Sequence, residues 1–168
     1  MFLTRIIFLV TFKMMKYNWF MANYIKDIRK KVGHMPLIMV GVGAAYVKGG
    51  KILLQERADT GGWGLPGGYM EYGESIEQTL KREFKEDAGF EILDCKFLKN
   101  FDQEFFKYPN GDQTQVLTPF YLVTKVKEGT PQFDPHETKA VDFFDFDDLP
   151  EIYFDSHKRI LAYLHNVL

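Results

Sequence analysis

The stretch "REFKEDAGF", residues 82–90, brings three carboxylates, Glu83, Glu86 and Asp87, within about one turn of a predicted helix. Neighbouring like charges on a helix destabilise it by about 0.2–0.5 kcal/mol per pair, so another interaction should compensate. The two candidates are a solvated face paired with nearby lysines and a bound cation. The position of the acids relative to the buried face of the helix distinguishes these two arrangements.

The helix that carries these acids has recognisable ends and one apolar face. Ser75 and Gln78 have the spacing of a capping box, which predicts a helix start near Ser75, and Gly89 predicts its end. At about 100° per residue, the apolar side chains fall on one side of the helix. They are Ile76, Leu80, Phe84 and Ala88. We expect this side to face the core.

Two of the acids, Glu83 and Asp87, fall inside or beside the apolar side, and Glu86 lies on its flank. Acids on a solvated face would point away from it, and a buried carboxylate without a partner is costly. The pattern therefore favours a cation, and oxygen ligands of this kind suit Mg²⁺ or Mn²⁺ rather than zinc. The preceding loop, residues 65–68, contains glycines whose backbone can approach a ligand closely, so phosphate and metal form a joint hypothesis.

Composition limits the classes of protein that this chain can represent. Its 168 residues, 46% hydrophobic and 26% charged, predict one globular domain. A net charge of −2 gives no general attraction for a polyanion, which disfavours bulk nucleic-acid binding. The single cysteine, Cys95, excludes an intramolecular disulfide and a cysteine zinc site, and it suits a reducing cytoplasm. We expect Cys95 to be a small buried apolar residue.

The first twenty residues form an apolar extension, "MFLTRIIFLVTFKMMKYNWF". Arg5 and the run 6–12 are suggestive of a secretory signal, but Thr11 and Lys13 interrupt the apolar core and no small-residue cleavage site follows. The run is also too short to span a bilayer. Because a typical soluble N-terminus begins at Met21, the favoured interpretation is an over-long assigned start at 1–20, a domain over 21–168, and no membrane partner.

The remaining segments predict an α/β fold with a mixed β-sheet between helices. The predicted order is a helix over 21–32, strands over 36–47 and 51–58, a structured loop over 59–74, the acidic helix, an antiparallel hairpin over 90–126 turned at Asn110-Gly111, a strand over 139–146 and a helix over 155–168. The last helix has a predicted buried face formed by Ile160, Leu161, Leu164 and Leu168.

Gly68, Glu74 and the run 82–90 together resemble the Nudix box. Every required position of that pattern is filled except one, where Asp87 replaces the second glutamate. The flanking "WGLPGG" and "EYGES" are also common in Nudix hydrolases, and the predicted order of elements resembles the α/β/α Nudix sandwich. We therefore expect that fold.

The resemblance implies a Mg²⁺-dependent pyrophosphohydrolase, with Mn²⁺ as a substitute, that cleaves the diphosphate of a nucleoside diphosphate linked to another moiety. The substrate would be of the nucleoside triphosphate or ADP-ribose type. The implied metal ligands are Glu83, Glu86, Asp87 and the carbonyl of Gly67. Glu83 is also implied as catalytic, with Arg82 orienting it through a salt bridge. Gly68 and Glu74 are grouped with substrate binding, Glu74 mainly as a supporting residue where the helix begins.

Residues outside the box are open to two interpretations each. Glu137 is the candidate for a further base or ligand, or it is a surface-loop acid, and His136 beside it is expected to be a bystander. Arg57 and Trp63 would contact phosphate or base, with packing at the sheet edge as the equal alternative. The alternative function is a non-catalytic Nudix-fold nucleotide sensor, although sensors usually lose the box carboxylates that this chain retains. We expect a cytoplasmic protein. The sequence does not indicate an oligomeric state, and a homodimer is the candidate assembly that the resemblance suggests, since dimers are common in the family.

Overall fold

The computed structural model describes residues 24–108 and 110–168. Within these ranges it contains three helices and seven strands. In chain order they are α1 (Tyr24–Val32), β1 (Leu37–Lys48), β2 (Lys51–Arg57), β3 (Trp63–Gly64), β4 (Gly67–Tyr69), α2 (Ile76–Ala88), β5 (Ile92–Lys107), β6 (Gln113–Val126), β7 (Thr138–Asp145) and α3 (Asp155–Val167). The interpretations of residues 1–20, and of a helix start at Met21, lie outside the described residues.

One mixed sheet of seven strands organises the chain. Its centre is the parallel pair β1 and β6, and β5 pairs antiparallel with β6 as the predicted hairpin requires. β1 pairs with β2 near its end and with β4 near its middle, while β2 also pairs with β3 and β7. The β1–β2 turn is formed by Gly49 (φ 59°) and Gly50 (φ 79°), because a type I′ turn needs positive φ at both positions.

Helices cover both faces of this sheet, which confirms the predicted α/β fold. Successive residues of a strand point to opposite faces. Ala44 and Leu53 accordingly pack with Leu80, Phe84 and Ala88 of α2. Their chain neighbours face the other way and pack against α3. That second core includes Ala45, Ile52, Leu54, Phe120, Ile160, Leu161 and Leu164.

Helix α2 has the predicted ends. Ser75 Oγ accepts a hydrogen bond from the Gln78 backbone N–H at 3.2 Å, and Gln78 Oε1 accepts one from the Ser75 N–H at 2.8 Å. Gly89 ends the helix in the left-handed conformation, with φ 76°. These contacts fix the position of the acids along the helix.

Three local predictions are wrong. The loop over 59–74 contains the short strands β3 and β4. Backbone pairing with β2 and β1 creates these strands, and their glycine-rich sequences have no alternating pattern from which they could be predicted. Leu168 is 53% exposed because α3 ends before it. Cys95 is only partly buried, on the outer strand β5. In the described ranges, the structure has no helix of the length and hydropathy that crossing a membrane requires.

Candidate active site

A cleft of about 390 Å³ opens beside β4 and α2. Its volume is in the range of small-molecule sites. Acids of α2 and of the segment before β7 line one part of it, called the acidic end. Residues of β5 and of the start of α3 line the part called the other end, and Arg57 also lines the cleft. Seven of the residues whose roles were predicted from the sequence line this cleft: Arg57, Gly67, Gly68, Arg82, Glu83, Asp87 and Glu137. Trp63, Glu74, Glu86 and His136 do not line it.

Three carboxylates form a cluster at the acidic end. One ligand atom each from Glu83, Asp87 and Glu137 lies within 4.8 Å of the others. Glu83 and Asp87 are one turn apart on α2, and both are buried as the helical pattern predicts. Glu137 reaches them because β2 and β7 pair beside the helix, with its carbonyl accepting from the Ala58 N–H at 2.8 Å. The structure thus brings the acid outside the box together with two acids inside it.

Burial makes this cluster favour protons or a cation. It raises the pKa of Glu83 to about 7 and that of Asp87 to about 7, despite the opposing effects of Arg82 on the first and the Gly67 N–H on the second. The pKa of Glu137 is also raised, first by desolvation and then by the charge of Glu86. A divalent cation would relieve the repulsion, and three carboxylates are the ligand type that Mg²⁺ or Mn²⁺ prefers.

Arg82 is the centre of a second group of acids beside the cluster. Its Nε and Nη2 donate to both oxygens of Glu74 at 2.7 and 2.9 Å, and Nη1 donates to Glu83 at 2.7 Å and to Glu86 at 2.9 Å. Nη2 also donates to the carbonyl of Tyr69 at 3.1 Å. The pKa of Glu74 is lowered to about 2, chiefly by the Arg82 hydrogen bond. Arg82 therefore orients Glu83, and Glu74 holds Arg82 rather than lining the cleft.

Asp87 is held from both sides by residues that the sequence did not single out as partners. The Gly67 N–H donates to Asp87 Oδ2 at 2.8 Å, so the structure shows the amide of Gly67 acting on the cluster. Below it, Thr138 Oγ1 lies 3.0 Å from the Asp87 carbonyl and 2.6 Å from Oε1 of the fully buried Gln55. The Gln55 side chain also lowers the pKa of Asp87, as one of its smaller influences. The sequence signal that could have indicated this contact is a glutamine inside an apolar strand.

Gly68 lies against the Glu83 carboxylate, where a Cβ would come within 2.3 Å of Oε2. We expect Gly68→Ala to displace that carboxylate and to lower kcat for diphosphate hydrolysis by about 10- to 100-fold, the usual cost of disturbing groups around a metal site. Steady-state kinetics with saturating Mg²⁺ would measure the loss.

The control for Gly68→Ala is Gly64→Ala, in which the added Cβ meets the ring of His157 at the other end of the cleft. That substitution should affect kcat less than KM. If Gly68→Ala retains the wild-type kcat, the contact with Glu83 does not position the reacting groups.

The remaining candidates are divided between the cleft and the core. Arg57 lines the cleft, where it forms two hydrogen bonds of 2.9 Å with Asp59 and stands 5.6 Å over the ring of Phe154. Trp63 instead packs edge-on against Phe144 at 4.7 Å and does not line the cleft, as its packing alternative describes. His136 is exposed and also lies outside the cleft lining.

Comparison with known proteins adds independent support. A model of the NUDIX domain matches residues 37–164. The ADP-ribose pyrophosphatase of Methanocaldococcus jannaschii is 30% identical over 165 residues, 94% of each chain. The 8-oxo-dGTP diphosphatase of Haemophilus influenzae is 29% identical over 99 residues, which cover 56% of this chain and 68% of that protein. The MutT NUDIX hydrolase structure from Burkholderia pseudomallei is 32% identical with a TM-score of 0.63, covering 74% of this chain and 96% of that chain.

Fold, acidic cleft and relatives together define a hydrolase that acts on pyrophosphate bonds. The chain belongs to the Nudix family, as the match over residues 37–164 establishes. The family resemblance inferred from the Nudix box is therefore confirmed, although Asp87 replaces the second glutamate of the pattern. Nudix hydrolases generally use a divalent metal, and the carboxylate cluster fits one.

The raised pKa values predict how the stability of the metal-free protein depends on pH. Glu83 and Asp87 titrate near 7 in the folded state, against ordinary values of 4.5 and 3.8. A raised folded-state pKa stabilises the fold at low pH, and this contribution is lost as pH rises from about 4 through about 7. We expect the free energy of unfolding to fall less over this interval in Glu83→Gln than in wild type, measured by urea unfolding in chelator.

His157 acts in the opposite direction, because burial lowers its pKa to about 4. Its contribution grows between about pH 4 and about pH 6.5. Since His157 is unchanged in both proteins, the difference between them reports on Glu83 and on its charge coupling to Asp87. Parallel pH profiles for the two proteins would contradict the raised pKa.

Proposed function

We propose that this chain is a Mg²⁺-dependent pyrophosphohydrolase that cleaves a nucleoside diphosphate linked to another moiety, with ADP-ribose as the first candidate. The observation that carries the proposal is the cluster of Glu83, Asp87 and Glu137, which lines the same cleft as Arg57. The choice of ADP-ribose is supported by the relative from Methanocaldococcus jannaschii, which is matched over 94% of each chain. Nucleoside triphosphates are the second candidates, because the Haemophilus influenzae relative is an 8-oxo-dGTP diphosphatase.

The three acids of the cluster would hold the cation. Glu86, which lies on the flank of the apolar side of α2, is the fourth proposed ligand. When bound, Mg²⁺ supplies charge neutralisation for the diphosphate and a lower pKa for the attacking water. The carboxylates of Glu83 and Asp87 are oriented before any ligand arrives, by Arg82 and by the Gly67 amide respectively. Such preorganisation lowers the cost of binding.

Two further groups act directly on the substrate in this mechanism. Arg57 lines the same cleft and would contact a phosphate oxygen, since a guanidinium stays charged and matches phosphate geometry. Glu137, the most exposed acid of the cluster, would accept the proton of the attacking water, because it lines the cleft beside the two buried acids. Gly68 has no Cβ, so its backbone can lie directly against the Glu83 carboxylate.

The test is hydrolysis of a small panel with Mg²⁺ or Mn²⁺: ADP-ribose, diadenosine polyphosphates, nucleotide sugars and natural or oxidised nucleoside triphosphates. Turnover that chelator abolishes and added metal restores supports the proposal and identifies the leaving group. If all substrates stay intact while a nucleotide binds, the protein is instead a non-catalytic nucleotide sensor.

A homodimer and a cytoplasmic location stay predictions, to be checked by light scattering and cell fractionation.

A further inference from the structure

The end of the cleft away from the cluster carries a buried carboxylate, Glu104, which the mechanism above does not use. Glu104 is 6% exposed and lines the cleft. Arg159 of α3 donates to its Oε2. Within residues 24–108 and 110–168, no hydrogen-bond donor reaches Oε1. A carboxylate oxygen without a partner in a residue that lines the cleft gains from any donor that enters the cleft.

A bulge in β5 aims Glu104 into the cleft. Phe101 pairs with Thr118, but the next paired residue is Glu104, opposite Val116, so β5 has one extra residue there. Bulges bend a strand and redirect a side chain, and they are frequent near functional sites. The exposed Asp102 lies within this irregular stretch, whereas Glu104 points to the interior. The inward direction of Glu104 is therefore a property of the backbone.

His157 provides a fixed donor at the same end of the cleft. Its Nδ1 accepts a hydrogen bond from the Leu65 N–H at 3.1 Å, which leaves the ring proton on Nε2. Burial and the charge of Arg57 lower its pKa to about 4, so the ring is neutral at pH 7. A Cβ on Gly64 would come within 2.7 Å of Nδ1, so the ring is packed closely against β3. His157 thus offers one N–H in a defined place.

Ser156, the neighbour of His157, adds a hydroxyl. The residue is 6% exposed, lines the cleft, and its buried Oγ has no hydrogen-bond partner in the described ranges. A buried hydroxyl can donate and accept at once, so it gains from a ligand group that does the same.

The carboxylate acceptor of Glu104, the N–H donor of His157 and the hydroxyl of Ser156 together match a pair of sugar hydroxyls better than a phosphate. A phosphate offers acceptors alone and would be repelled by the Glu104 carboxylate. A sugar hydroxyl can donate to Glu104 while accepting from His157 or Ser156. We propose that Glu104, Ser156 and His157 form a subsite for the vicinal hydroxyls of a ribose, in an inference that rests on the proposed function and adds its sugar specificity.

The test measures binding of reaction products, so it does not depend on turnover. The probes are two matched pairs, AMP with dAMP and ribose 5-phosphate with 2-deoxyribose 5-phosphate, titrated calorimetrically into the full chain. In at least one pair, wild type should bind the ribose form about tenfold more tightly, which is the scale of one lost hydrogen bond to a charged group. Glu104→Gln should reduce that ratio to about twofold.

Asp102→Asn is the matched control, because it removes an exposed carboxylate of the same strand and should keep the wild-type ratio. Ser156→Ala is the second variant, with an expected drop in the ratio of about threefold, in case Glu104→Gln does not fold. A wild-type ratio within twofold for both pairs would overturn the inference. So would an unchanged ratio in folded Glu104→Gln. If the ratio is large but the panel shows no hydrolysis, the subsite stands and the proposed enzymatic function fails.

Discussion

Glu83→Gln is expected to lower kcat for metal-dependent diphosphate hydrolysis on the order of 10³-fold, with the fold intact. The substitution removes one charge from a cluster whose ligand atoms lie within 4.8 Å of each other. Because Glu83 is buried and its pKa is raised to about 7, its ionised form is costly in the metal-free protein. The neutral amide should therefore leave the free energy of unfolding equal or higher at pH 8. Kinetics and urea unfolding of the same preparation measure both effects.

Glu77→Gln is the matched control for Glu83→Gln. Glu77 lies on the same helix but is exposed and paired with Lys81 at 2.6 Å, away from the cleft. Exposed pairs of this kind contribute little to stability, and Glu77 does not line the cleft, so activity should stay near that of wild type. If Glu83→Gln keeps more than a tenth of the wild-type kcat, Glu83 does not take part in the reaction.

Arg82→Met should cause the largest loss of stability among single substitutions at this site. One guanidinium donates to Glu74, Glu83 and Glu86, and its removal leaves their charges facing one another. Breaking a buried charged group of this kind costs about 2–5 kcal/mol, and the side chain is 30% exposed, which places the expected loss toward the lower end. Activity should fall too, because Glu83 loses the group that orients it. Urea unfolding at pH 8 measures the first effect.

Lys81→Met provides the comparison for Arg82→Met, since it removes an exposed cation from the same helix. We expect it to change the free energy of unfolding far less than Arg82→Met does, because exposed ion pairs contribute little. The loss in Arg82→Met should shrink as pH falls from 8 toward 5, because the freed carboxylates then take up protons. Equal unfolding midpoints for Arg82→Met and wild type would show that these ion pairs add no net stability.

Features encoded within one helix could be predicted from the sequence. The ends of α2 follow from Ser75, Gln78 and Gly89, and the buried position of Glu83 and Asp87 follows from helical periodicity alone. The confirmed family assignment depends on the same stretch, because the box specifies residue types at fixed spacing.

Features created by strand pairing could not be predicted in this way. Glu137 reaches the cluster through the pairing of β2 with β7, and Gln55 meets Asp87 through the same contact, so no local pattern connects them. Glu104 turns inward through one extra residue in β5, which the alternation of a regular strand does not reveal. The strands β3 and β4 are defined by backbone hydrogen bonds rather than by side chains.

The two ends of the cleft depend on different parts of the chain. The carboxylate cluster is supported by α2 and the segment before β7, whereas Glu104 and His157 belong to β5 and α3. These two sets have separate hydrogen-bond partners, Arg82 for the first and Arg159 and Leu65 for the second. Substitutions in β5 or α3 can therefore change which diphosphate is accepted while the acids keep their arrangement. Selectivity and reaction chemistry would then be carried by separate elements of one fold.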